Sequence, residues 1–298
     1  MTPLQRYIAE EIATDHVDGL LTRREAMRRL ALLGLGGGAA AALIASCGGK
    51  QPSRPNPRSS GAATSQPPGM DKALATVPIS WPGPNGRLEA AWAEAADARG
   101  GVLIIHENKG LNDWVRSVAG RFAGAGYSAL VIDLLSEEGG TGNFEDPAQA
   151  TAALGAVAPD RFTADLNAGT AELRSRVPNR KVGVVGFCFG GGLVWQLLAS
   201  GAPQLSAAVP FYGPLPDNPD FAASKAAVLA IYAALDTRVT TSEPAAKAAL
   251  DRAKLVNDIV VEPDADHAFF NDTGPRYNPA AAADAWRRVL DWFGRYLA

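Results

Sequence analysis

The run Val184-Val185-Gly186-Phe187-Cys188-Phe189-Gly190-Gly191-Gly192 constrains this chain more than any other stretch. An apolar strand gives way there to a helix start, and a lone cysteine stands at the change. Such an elbow forces its central residue into a tight backbone bend, and glycines two before and two after it let neighbouring chain pass close by. The side chain then stands at the top of a sheet. A helix N-terminus beneath it favours thiolate over thiol. The competing reading is a small buried hydrophobe, the usual fate of a cysteine in an apolar stretch. What separates the two is whether the partners of a nucleophile lie elsewhere in the chain.

The surroundings read as alternating strand and helix. Segments 75–81 and 88–94 flank the turn-forming Pro82-Gly83-Pro84-Asn85-Gly86 and suit an antiparallel edge hairpin. From residue 101 the strands are apolar on both faces, at 102–105, 128–132, 182–185, 207–211, 227–232 and 255–261. Helical patterns fall at 112–123, 160–176, 190–199, 242–253 and 279–296, the last strongly amphipathic. This alternation predicts an α/β fold with a mostly parallel sheet covered by helices on both faces. The chain is 47% hydrophobic and 20% charged, which suits an ordinary soluble core. A net charge of -3 and the lack of a basic stripe give nucleic acid no purchase. The glycine run is no dinucleotide fingerprint, because Cys188 stands where that motif needs its second glycine.

The N-terminus follows another logic. Thr22-Arg23-Arg24-Glu25-Ala26-Met27-Arg28-Arg29 precedes an uncharged run from 30 to 45, the basic-then-apolar order of an export signal and short for a membrane span. The paired arginines resemble a twin-arginine signal, whose cargo is exported folded by dedicated export machinery. Leu43-Ile44-Ala45-Ser46-Cys47-Gly48 resembles a lipoprotein processing box with Cys47 as the lipidated residue. Simple cleavage and an uncleaved anchor are the alternatives. Residues 1–47 are therefore expected to stand outside the core as signal and lipobox. Residues 48–69, rich in Gly, Pro and Ser, read as a flexible tether, and 70–298 as the catalytic domain. The expected location is the extracytoplasmic or periplasmic side, membrane-tethered and monomeric. With Cys47 lipidated, Cys188 has no disulfide partner.

A nucleophilic cysteine needs a base and a group that orients the base. His267 follows directly on the 255–261 segment, so in a parallel sheet it leaves the same edge as Cys188. Asp236 leaves the preceding strand, and the order Cys188, Asp236, His267 is that of nucleophile, acid and histidine in hydrolases with such elbows. His106-Glu107-Asn108-Lys109-Gly110 leaves an earlier strand, where an oxyanion loop belongs. Backbone N–H groups of Asn108 and Phe189 would form that hole, and Glu107 could accept a hydrogen bond from the thiol. No metal is called for, because His106 and Glu107 lack a nearby third ligand at metal-binding spacing.

On these residues the chain resembles the dienelactone hydrolase (carboxymethylenebutenolidase) family of the α/β-hydrolases, over about residues 75–298. Gly186-Phe187-Cys188-Phe189-Gly190-Gly191 resembles its nucleophile motif, Glu107 its thiol-associated glutamate, and Asp236 and His267 its acid and base. The resemblance implies cofactor-free hydrolysis of a lactone or ester through a cysteinyl acyl-enzyme. One departure concerns substrate. The family places an arginine four residues after the histidine, where Asn271 stands here, and Arg276 is the replacement within reach of the pocket. A non-catalytic, extracytoplasmic ligand-binding protein on the same fold is the alternative function.

Overall fold

The computed structural model describes residues 1–47 and 66–298. Most of the expected tether, 48–65, lies outside the described residues. Eight strands form one sheet: β1 (Val77–Pro82), β2 (Arg87–Ala93), β3 (Gly100–Ile105), β4 (Tyr127–Asp133), β5 (Val182–Phe187), β6 (Leu205–Phe211), β7 (Ala227–Ala233) and β8 (Asn257–Glu262). Their order is β1-β2-β4-β3-β5-β6-β7-β8, with β1 and β2 antiparallel and every pair from β4 to β8 parallel. This is the α/β-hydrolase fold.

In order along the chain, the helices are α1 (Pro3–Val17), α2 (Arg23–Leu32), α3 (Gly37–Cys47), α4 (Asp113–Gly124), α5 (Pro147–Ala156), α6 (Pro159–Arg176), α7 (Phe189–Ala199), α8 (Thr237–Thr240), α9 (Glu243–Arg252) and α10 (Pro279–Tyr296). Central strands β3, β4, β5 and β7 are buried along their whole length, because helices cover both faces. Two glycines show how close the covers lie. A Cβ on Gly100 would press on Leu297 just beyond α10, and one on the next residue, Gly101, on Leu173 of α6. Successive strand residues face opposite ways, so α6 and α10 lie on opposite faces. Phe122 of α4 packs on Trp286 and Phe293 of α10, which puts α4 on the α10 side.

The hairpin, the strands and the five predicted helices stand where the sequence places them, with ends shifted by at most two residues. Helix α5 was not foreseen. Its Ala-rich sequence carries no helical apolar stripe, and a buried Thr151 holds it to the Asn108 carbonyl at 2.8 Å.

The first 47 residues correct the expectation that they stand outside the core. Tyr7, Ile8, Ala9, Ile12, Ala26, Leu30 and Ala40 all belong to the buried apolar cluster of the domain. Helix α1 begins with a full capping box, in which the Thr2 side chain accepts from Gln5 N–H while the Gln5 side chain accepts from Thr2 N–H. Its apolar residues Tyr7, Ile8 and Ile12 fall on one face, and that face turns to the protein. Arg28 reaches across to Asp146 at the start of α5, at 2.8 Å. No helix among the described residues is long and apolar enough to cross a membrane.

Candidate active site

Cys188 sits between β5 and α7 with φ at 57°, a left-handed conformation that costs a non-glycine residue about 1–3 kcal/mol. The neighbouring glycines make that bend buildable. A Cβ on Gly186 would collide with the Gly190 carbonyl, and one on Gly190 with the carbonyls of Ile105 and His106. The bend therefore brings the end of β3 and the start of α7 into backbone contact, with the sulfur at the C-terminal edge of the sheet.

The partners expected on that edge are there. His267 follows β8, and its Nδ1 lies 2.6 Å from Asp236 Oδ2, at the end of β7. Both side chains are buried. Burial alone would raise the Asp236 pKa, but the facing imidazole outweighs it and holds the carboxyl below its usual range. For His267 burial lowers the pKa and Asp236 more than restores it, leaving the ring more basic than an ordinary histidine. Such a pairing fixes the ring and directs Nε2 away from Asp236. The sulfur, a His267 ring nitrogen and a carboxylate oxygen of Glu11 all lie within 4.8 Å of one another.

What meets Nε2 is a residue the sequence reading did not single out. The Tyr7 hydroxyl, from α1, stands 3.2 Å from His267 Nε2 and 3.3 Å from Cys188 Sγ. One turn on, Glu11 Oε2 accepts a hydrogen bond from the thiol at 3.3 Å. Glu107 was expected as the carboxylate at the thiol and takes a different place. Its Oε2 accepts from Asn271 Nδ2 at 2.9 Å, while its buried Oε1 has no hydrogen-bond partner among the described residues. Burial pushes Glu107 above the usual carboxylate range. The thiol itself is not poised as thiolate. Burial first, then the carboxylates of Glu11 and Glu107, drive its pKa well up, against smaller help from Tyr7 and the Phe189 N–H.

Asn271 and Arg276 both line the pocket, and their polar groups are already occupied. The Asn271 side chain donates to Glu107 and accepts from Thr273 N–H. Arg276 reaches the pocket and is held by three carboxylates, Asp15 at 2.8 Å, Asp18 at 2.7 Å and Asp266 at 3.3 Å. His106 is a packing residue, fully buried, with Nδ1 2.6 Å from the Glu107 carbonyl. Asn108 lines the cavity above the thiol. That cavity holds about 250 Å³ between Cys188, His267 and Asn108 on one side and Glu11, Ile12 and Leu21 on the other.

The missed residues left a trace in the sequence. Tyr7, Glu11, Asp15 and Asp18 recur every three or four positions behind the capping box, which is one face of a helix. A signal segment has no need of so well started a helix. Nothing local, however, says what that face touches.

Residues 88–297 match the model of the dienelactone hydrolase family. A protein of Salmonella typhi named "Putative carboxymethylenebutenolidase" is 36% identical over 208 residues, 65% of this chain and 77% of its own. One of the same name from Methylorubrum extorquens is 33% identical over 220 residues, covering 68% of this chain and 75% of its own. Among solved structures, one titled as a dienelactone hydrolase of that same provisional standing, from Klebsiella pneumoniae, superposes with a TM-score of 0.65 at 29% identity, over 75% of this chain and 100% of its own. A dienelactone hydrolase-like promiscuous phosphotriesterase from metagenomic libraries gives 0.58 at 26% identity, over 76% and 100%.

Proposed function

Because this chain belongs to the dienelactone hydrolase family, a family of hydrolases, we propose that it opens a lactone or small ester through an acyl-enzyme on Cys188. The observation that carries the reading is the Asp236–His267 pair at 2.6 Å, set at the edge where Cys188 leaves β5 in its strained bend.

The Cys188 sulfur attacks the carbonyl carbon, and the thiol proton passes to His267 Nε2, with Asp236 holding the ring and the charge it acquires. Backbone N–H groups of Asn108 and Phe189 receive the negative oxygen. As the carbon–oxygen bond breaks, His267 returns the proton to the leaving alkoxide. The acyl group is now a thioester. His267 then takes a proton from water, whose oxygen attacks the thioester carbon, and the thiol is regenerated beside the free acid. No metal or cofactor enters these steps. Arg276, which lines the pocket five residues beyond the position where the family has an arginine, is the group for a substrate carboxylate.

Where the reaction takes place follows from the N-terminal reading. Arg23 and Arg24 at the start of α2 are exposed, as recognition by an export receptor requires, and processing before Cys47 would leave a lipid-tethered enzyme on the extracytoplasmic face.

The test is a panel of neutral and carboxylate-bearing lactones and aryl esters offered to the full chain and to Cys188→Ala. Hydrolysis by the parent and none by the variant is expected. Equal rates would reject the nucleophile, and an unchanged preference for acidic substrates in Arg276→Ala would remove that arginine. Retention of an Arg23→Lys, Arg24→Lys protein in the cytoplasm, followed by fractionation, tests the export reading, with unaffected export rejecting it, and loss of the lipid mass in Cys47→Ala tests the processing box.

A further inference from the structure

We propose that residues 3–18, helix α1 and the residue that caps it, are an intramolecular plug over this site, so that the full chain turns over slowly, through brief openings, and reaches its full rate only once they leave. The inference rests on the hydrolase reading above and goes beyond it.

Four side chains on one face of α1 each occupy something the reaction needs. Tyr7 puts its hydroxyl between sulfur and imidazole, 3.3 Å from Sγ and 3.2 Å from Nε2, so the thiol has no direct path for its proton to the base. Glu11 takes the thiol hydrogen itself. A carboxylate there also opposes the negative charge that attack requires on sulfur. Asp15 and Asp18 sit on Arg276 at 2.8 and 2.7 Å, as the two carboxylates of a bound acid would. Between plug and thiol remain about 250 Å³, below the roughly 300–1,000 Å³ of ordinary ligand pockets. Cys188 is 2% exposed, so a carbonyl reaches it only when this cover opens.

The plug is anchored mainly by side chains. The Arg238 guanidinium lies 4.4 Å from the Tyr7 ring centre and donates to the Tyr7 carbonyl at 3.4 Å. No strand pairing or disulfide fixes α1 among the described residues. Cleavage before Cys47, expected from the sequence, would cut the covalent link between plug and domain. One cut would then both release the protein from its export signal and open its site.

The experiment uses the full chain carrying Cys47→Ser, so that Cys188 is the sole thiol. Three proteins are compared: this parent, Asp15→Asn with Asp18→Asn, and those two combined with Tyr7→Ala. Iodoacetamide alkylation of Cys188, p-nitrophenyl acetate turnover and thermal melting are measured on each. The plug predicts that alkylation rises about tenfold with the paired aspartate variant and further with the triple variant, and that turnover rises with it. Unchanged alkylation, or turnover that falls in a variant that still melts cooperatively, overturns it and makes Tyr7 and Glu11 working parts of the site. Faster alkylation with no turnover upholds the plug and sinks the hydrolase reading instead. Should Tyr7→Ala fail to fold, the aspartate pair decides alone.

Discussion

Two segments converge on the Cys188 sulfur, the elbow that carries it and the helix that covers it, and they are held in opposite ways. The elbow is fixed by backbone against backbone. Its glycines leave no room for a Cβ between the carbonyls of Ile105, His106 and Gly190, so the bend cannot relax without unfolding the sheet edge. Helix α1 is fixed mainly by side chains, with Tyr7, Ile8 and Ile12 in the apolar cluster and Glu11, Asp15 and Asp18 on the site. Its ion pairs and hydrogen bonds contribute about 1 kcal/mol each, so removing them moves the helix toward local opening while its apolar face still holds it. A nucleophile is thus built permanently and its cover is built to be removable.

The largest effect expected is on the base. Asp236→Asn should cost about 10²–10⁴ in kcat while leaving the fold intact, because the ring loses its orientation and its counter-charge. The same variant shifts the pH profile. His267 is raised above its usual value of 6.5, and only the neutral ring accepts a proton, so the parent's rate should climb through a pKa above 6.5. Without Asp236 that limb moves to lower pH. A profile that stays in place would show that another group is the base.

The elbow is broken next by Gly190→Ala. Its Cβ meets backbone carbonyls rather than flexible side chains, so about 2–4 kcal/mol of stability should be lost, read as a lower urea midpoint with unchanged slope. A variant as stable as the parent would mean the bend can relax, and the contrast with α1 would fail. Asn271→Ala should cost less, about 1–3 kcal/mol, because it strips the buried Glu107 of its side-chain donor. Its loss should grow as pH rises. Burial leaves Glu107 with a raised folded pKa, so the protonated form favours folding, and that advantage fades as pH climbs through the folded value. A loss independent of pH would place the effect in packing alone.

How much of this was legible in the sequence follows the same division. The sheet, the elbow and the positions of Asp236 and His267 are local consequences of apolar strands, glycine spacing and chain order. Those survive any tertiary context. Glu107 stands at the exit of β3 as expected, whereas its hydrogen bond with Asn271 joins residues far apart in the chain and has no local signal. Helix α1 was read by its neighbour, the twin-arginine run, and its capping box went unweighed. A mixed-charge helix with three apolar residues on one face is ambiguous until something is known to receive that face. The receiver here is the active-site mouth, assembled from β3, β5, β7 and β8 ends that come together only in the fold.

The central claim is that Cys188 carries the acyl group. Intact-mass and peptide mass spectrometry of the full chain, quenched during exposure to a slow-turning β-lactone, reads it directly. A single acyl addition on the peptide containing Cys188, absent in Cys188→Ala, is predicted. Turnover without any adduct on Cys188, or an adduct on another residue, would contradict it.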